Sequence, residues 1–401
     1  MKLRLTFASA FLAPLERRLQ AAASMLALTS LCSAVAATAP APSPSFQQTS
    51  FPTAKGPRCI AVTDVNHDGK PDLLVGNEGG TITVLLGDGK GGFVESKGSP
   101  FPAGPSPNDL AVADMNHDGN VDVIIANHQS PYLSILLGEG KGGFRPAPGS
   151  PFDVHSHPHP HGVAVGAFCA GGELGVVTES WGSNQVELLE GDGKGGLRTP
   201  GLFFNVGHWP YERLRSADFN GDGHPDVVTT DLDDNAVTVL LGDGNGGLRE
   251  AKNSPFPAGA KPWQVAIDDL DGDGKADLVI IPYERDLPNP RLNVVTILLG
   301  DGQGGFTASP SALSLEGCHG PCSIATGDIA GDGHRDIAVA CAESKNVAIF
   351  MNRGGGKFDR FIIPSAGGWG AVALADLNGD GKADLITANP DQDNITIRLS
   401  K

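Results

Sequence analysis

One nine-residue pattern, Asp-x-Asn/Asp-x-Asp-Gly-x-x-Asp, constrains the fold of this chain more than any other feature. Copies begin at Asp64, Asp114, Asp218, Asp269, Asp328 and Asp376. The interval doubles between the second and third copies. Halfway along that gap, Val163-Ala-Val-Gly166-Ala-Phe-Cys-Ala-Gly-Gly-Glu-Leu174 keeps the same apolar frame but has Gly166 and Leu174 where acids stand elsewhere. With this degenerate copy counted, seven units follow one another at intervals of 48 to 59 residues. A repeat near fifty residues is a propeller period.

The chemistry of the pattern is that of a calcium loop. Ca²⁺ is a hard cation that takes six to eight oxygen ligands, and a Gly at the sixth position lets a short backbone wrap it. The first copy offers Asp64, Asn66, Asp68 and Asp72, and the second Asp114, Asn116, Asp118 and Asp122. The next full copies offer Asp218, Asn220, Asp222 and Asp226, then Asp269, Asp271, Asp273 and Asp277. In the sixth unit Ala330 removes one donor and leaves Asp328, Asp332 and Asp336, while the last supplies Asp376, Asn378, Asp380 and Asp384. An EF-hand would close with Glu at position 12 between helices. Here position 12 is Val75, Ile125, Thr229, Ile280, Val339 or Thr387, and the flanks (Ile60-Ala-Val, Leu73-Leu-Val) read as strands. The ninth-position Asp must therefore complete the shell. Asp, Asn and Gly favour turns for their own reasons, which would account for one copy but not for six in one strand context. Several carboxylates crowded into one turn also repel without a cation. About five or six calcium sites are expected.

Each unit reads as four strands. In the second, Leu110-Ala-Val enters the loop, Val123-Ile-Ile-Ala leaves it, and a polar turn (Asn127-His-Gln-Ser) leads to a third strand from Tyr132 to Leu137. A Gly-rich hairpin, Gly138 to Phe144, then a fourth strand and a Pro-rich crossover (Ser150-Pro-Phe) reach the next unit. Four strands make one propeller blade. The Gly-rich hairpins have no Walker pattern and open no helix, so they are turn chemistry. The last unit stops at its third strand, Ile395 to Leu399, and Ser45-Phe-Gln-Gln-Thr-Ser-Phe-Pro near the start resembles a fourth strand. It is expected to complete the last blade and close the ring, which protects strand edges. The fold class is thus all-β, a seven-bladed propeller over residues 45–401.

On these motifs the chain resembles the FG-GAP/VCBS repeat family and is similar to the calcium-bearing propeller of integrin α subunits. The resemblance implies fold and metal. It does not imply one activity, since the family includes adhesion modules, lectin-like proteins and some polysaccharide lyases.

Composition narrows the partners. A formal charge of −17 argues against nucleic acid, which needs a basic footprint. Residues 1–36 read as a secretory signal, with basic residues from Lys2 to Arg18, an apolar run from Ala21 to Leu31 and Ala34-Val-Ala36 as cleavage site. Residues 37–44 form an Ala/Pro/Ser leader, and nothing else in the chain could span a bilayer. The expected setting is extracellular, periplasmic or cell-surface, with a monomer binding an extracellular protein or glycan. Disulfides are allowed there. Among Cys59, Cys169, Cys318, Cys322 and Cys341, the expected bridge is Cys322–Cys341 or Cys318–Cys322, with a free thiol left over.

The calcium and Gly-rich hairpins should share one face of the ring, and the non-repeating crossovers and remaining turns the other. Binding residues commonly sit on loops held by a rigid scaffold. That second face gathers His161, His208, Trp209, Tyr211, Trp263, Tyr283, Arg285 and Trp369, with Glu179, Trp181 and Asp231 in its turns. Aromatic rings with carboxylates and Arg suit a sugar; the alternative is that each Trp plugs the ring mouth or caps its blade. The run from His155 to His161 alternates with Pro, which splays imidazoles and argues against one compact metal site. A lyase would need a base such as His161, His208, Tyr211 or Arg213. No G-x-S-x-G, HExxH or paired catalytic carboxylates occur, so binding is favoured over catalysis.

Overall fold

A computed structural model describes residues 43–401 except 157, 158, 181, 211, 287, 288, 290 and 291. The signal segment and most of the leader lie outside the described residues. No α-helix occurs among the described residues, and no helix there is long and apolar enough to cross a membrane.

The chain forms seven antiparallel sheets, each built on four strands. The second strand of each blade is an apolar run such as Asp72–Asn77, Asp122–Asn127 or Asp277–Pro282, buried along its whole length. That is why these strands do not alternate polar and apolar residues: both their faces are covered by neighbouring blades. Every blade–blade junction has its own apolar layer. Leu74, Val84, Val123 and Ile125 pack between blades 1 and 2, and Leu73, Val75, Ile386 and Ile397 between blades 1 and 7. Burial of each such side chain contributes about 1.5–3 kcal/mol.

The ring closes as the repeat pattern requires. Phe46–Pro52 pairs antiparallel with Asn394–Ser400, in register from Phe46↔Ser400 to Pro52↔Asn394. Phe51 then meets Phe93 of blade 1 edge-on, with ring centroids 5.5 Å apart.

Three expectations are corrected. The Pro-rich segments are not free crossovers: Phe101 pairs with Ile82, Phe152 with Leu133 and Phe256 with Val237, so they form the second half of a broken outer strand. The disulfide is Cys318–Cys341, with Cα atoms 5.3 Å apart. Cys341 lies opposite Pro321, so Cys322, one residue on, turns to the other sheet face, where its Sγ sits 3.5 Å from Gly370 O. Among the described residues Cys59, Cys169 and Cys322 are free and buried. Finally, Glu179 and Asp231 are not in turns. Asp231 ends a second strand and Glu179 is the last residue but one of another, and both are fully buried.

Candidate functional site: the loop ring and the axial mouth

In the acidic loops the first Asp organises the turn. Asp64 Oδ1 accepts from the N–H groups of Asn66 and His67 at 3.1 and 2.7 Å, and Oδ2 from Gly69 at 2.8 Å. Gly69 has φ +78°, which Gly adopts freely. The Gly bond recurs to Asp114, Asp218, Asp269, Asp328 and Asp376. The ninth-position Asp is buried and ties the loop to the third strand. Asp72 Oδ2 accepts from Val65 N–H at 3.0 Å and Oδ1 from Gly87 N–H at 2.8 Å. This explains the Gly that ends the third strand: a Cβ on Gly87, Gly138, Gly242 or Gly300 would stand 2.2 Å from a backbone carbonyl oxygen. The acidic loop and the Gly-rich hairpin are one device.

The first, third and fifth positions are left at the tip. In the fifth blade the carboxylates of Asp269, Asp271 and Asp273 offer ligand atoms all within 4.8 Å of one another. Burial pushes the carboxyls of Asp122, Asp226 and Asp336 up to about 6, and nearby loop carboxylates add to the effect. Three clustered oxygens beside a buried, repelled fourth carboxylate fit a hard divalent cation. The third blade has no such set. Its loop is a short 3-10 turn at Ala170–Gly172.

On the ring axis lies a cavity of about 450 Å³ to which every blade contributes. Blade 1 supplies Arg58 and Glu78, blade 2 Asn108 and His128, blade 3 His161, and blade 4 Glu212 and Arg213. Blade 5 supplies Trp263, Tyr283 and Arg285, blade 6 Cys322, and blade 7 Trp369 and Asp391. The charges are largely matched: Arg58–Glu78 at 2.6 Å, Arg285–Glu343 at 2.7 Å and Lys345–Asp391 at 3.7 Å. His161, 3 % exposed, holds Glu212 through Nδ1···Oε2 at 3.0 Å, and His128 packs edge-on to it with ring centroids 4.5 Å apart. Burial alone would raise the Glu212 carboxyl, but the His161 bond and the charges of Arg213 and Arg58 hold it at about 2. Burial presses His128 down to about 4, with His161 adding. Behind this layer Glu179 accepts from Leu214 N–H and Thr229 Oγ1, yet burial still lifts it to about 7.

The predicted face is thus only partly assembled. His161, Trp263, Tyr283, Arg285 and Trp369 come together around the cavity. His208 and Trp209 stay outside its lining, on the crossover from blade 3 to blade 4, where His208 Nδ1 is 3.0 Å from Asp234. Tyr211 and Trp181 lie outside the described residues. The aromatic surface is less open than a flat platform: Tyr283 stacks on Trp263 at 4.3 Å and 17°, and Arg285 covers Trp369 at 4.8 Å. Sequence reasoning missed Glu212 and named Arg213 only as a candidate base. Both take φ +70°, and the inner strand that follows is only Arg215–Ala217. The one signal was charge, Glu212-Arg-Leu-Arg215, where inner strands elsewhere are mostly apolar.

A model of the FG-GAP-like repeat matches residues 64–125, 218–280 and 328–387. No curated protein sequence matches the chain. Among solved structures, a periplasmic gluconolactonase of Pseudomonas aeruginosa is similar at 20% identity and TM-score 0.58, over 77% of this chain and 85% of that one. An Agrocybe aegerita lectin that recognises non-reducing terminal N-acetylglucosamine is similar at 18% identity and TM-score 0.52, over 84% and 87%. Virginiamycin B lyase of Staphylococcus aureus is similar at 16% identity and TM-score 0.52, over 88% and 99%. At such identities the likeness is one of fold.

Proposed function

The chain is an FG-GAP-repeat β-propeller, and from that premise we propose that it is a secreted, calcium-stabilised recognition module that binds a glycan in its axial mouth. The observation that carries this reading is the convergence of side chains from all seven blades on one cavity of about 450 Å³. Most of its charged groups come with partners already fixed, and Tyr283 and Trp369 add half-buried rings. Preformed concave sites with a few placed polar groups suit small polar ligands.

Calcium is assigned a structural role. The loop carboxylates of blades 1, 2, 4, 5 and 7 would hold it, blade 6 would hold it more weakly without a donor at Ala330, and blade 3 would not. Its charge would relieve the repulsion among the loop acids. These loops belong to the acidic-loop face of the ring, as the lining shared by Asn66, Asp68 and the Asp88–Phe93 hairpin reflects. Secretion is supported by residues 1–36 and by the Cys318–Cys341 disulfide, a bond that persists in oxidising compartments.

A second reading, lyase-type catalysis in the same mouth, rests on the buried His161–Glu212 pair. A carboxylate on one imidazole nitrogen orients the ring as a base. One experiment separates the two. The protein is screened on a glycan array in calcium buffer, and each hit is followed for ultraviolet absorbance of unsaturated sugar. Binding without turnover is expected, with Trp369→Ala weakening it. Turnover abolished by His161→Ala would establish the enzyme, and silence in both assays would overturn the glycan reading in favour of a protein partner.

A further inference from the structure

Arg213 is a buried charge of the mouth whose partners stand at long range. It lines the cavity and is 9 % exposed. Its guanidinium carries five N–H donors in a fixed fork. Among the described residues Nε finds no hydrogen-bond acceptor, and the one hydrogen bond the guanidinium makes there, from Nη2 to Asn108 O, is long at 3.4 Å. Asp109 forms an ion pair with the guanidinium at 3.8 Å from Nε and is shared with Arg215 at 2.9 Å. The fold goes to some length to put the group there. Glu212 and Arg213 both sit at φ +70°, a backbone state that is strained for a non-Gly residue. Gly162 of blade 3 makes room, since a Cβ there would stand 2.8 Å from Arg213 Cα. The acids that line the cavity are already engaged, Glu78 by Arg58, Glu212 by His161 and Asp391 by Lys345, so Glu212 and Asp109 meet the guanidinium through charge and not through short hydrogen bonds. Buried donors left without acceptors are costly, and a planar guanidinium matches a carboxylate in two parallel bonds.

We propose that the mouth selects an acidic sugar, whose carboxylate docks on the Arg213 guanidinium. This rests on the mouth being the glycan site, and it adds the ligand's charge to that reading.

The test uses the full-length protein in calcium buffer and titrates oligosaccharides of galacturonic and glucuronic acid, and their neutral methyl esters, by calorimetry. The acids should bind about 10- to 100-fold more tightly than the esters, the range for losing hydrogen bonds to a charged group. Added salt should narrow the gap only modestly, because the contact is buried. Arg213→Gln should remove the preference, and Arg213→Lys should restore part of it. If either variant fails to fold, the wild-type acid-to-ester ratio decides alone. Equal binding of acid and ester overturns the inference and leaves the mouth a glycan site for neutral sugars. Undiminished preference in folded Arg213→Gln overturns it too. Binding of neither form at millimolar concentration removes the acidic sugar as ligand, and an array hit on neutral glycans would then show that the wider reading survives.

Discussion

Asp231→Asn should stabilise this protein, and increasingly so as pH rises. Asp231 is fully buried at the end of the second strand of blade 4. Oδ2 takes a hydrogen bond from Thr238 Oγ1 at 2.6 Å, and Oδ1 has no partner among the described residues. Burial is the main reason its carboxyl is pushed up from 3.8 to about 8, with Asp234 and Glu179 adding repulsion. The folded protein therefore keeps this proton to about pH 8, while the unfolded chain releases it near 3.8. The stability tied to the proton is fully present below the unfolded value and is lost as pH rises through the folded one. Each pH unit between them costs about 1.4 kcal/mol, so the loss at pH 7 is at most about 4 kcal/mol. At this chain length that corresponds to about 5 °C in Tm. Asn already occupies the matching place in blades 1 and 7, where Asn77 and Asn389 donate to Thr83 and Thr396. An amide at 231 can bond Thr238 in the same way and has no proton to lose. Thermal melts of both proteins from pH 4 to 9, in saturating calcium, test the argument. The curves should converge near pH 4 and separate above it. Parallel curves, or a variant less stable at pH 8, would refute a buried, protonated Asp231.

Two other outcomes follow from the loops and the bridge. Chelation by EDTA should lower Tm by about 10 °C or more, because several sites each adding about 3 kcal/mol at saturation act on one ring; Asp222→Ala should remove one ion by mass spectrometry and leave the fold intact. An unchanged melt in EDTA would sink the calcium assignment. Loss of the Cys318–Cys341 bond, which spans 23 residues, should cost about 3 kcal/mol when both residues become Ser. Non-reducing peptide mapping should find that bridge and leave Cys59, Cys169 and Cys322 as thiols.

What could be read from the sequence was what repeats. A ligand pattern and four strands per unit recur, and the last unit lacks an outer strand, so Phe46–Pro52 had only one edge to fill. What failed was decided by single-residue offsets. Cys322 looked opposite Cys341, but alternation along a strand turns neighbouring side chains to opposite faces, and the residue across from Cys341 is Pro321. Asp231 looked like the start of a turn because acids usually end apolar runs. Its counterparts Asn77 and Asn389 show that the place is a buried polar slot, and only comparison of blades position by position would have revealed it.

The mouth was the least legible part, for a related physical reason. Seven blades set around an axis bring together residues about fifty positions apart, and the cavity there is shaped by blades that depart from the pattern. The fourth is one of them. Its inner strand is cut to Arg215–Ala217, and the residues before it swing inward at positive φ, which no periodicity predicts for Glu or Arg. Repetition builds the ring, but an identical ring would have an axis lined by seven copies of one side chain. The variety of side chains at the axis comes from broken repeats, and one such break carries Glu212 and Arg213 there.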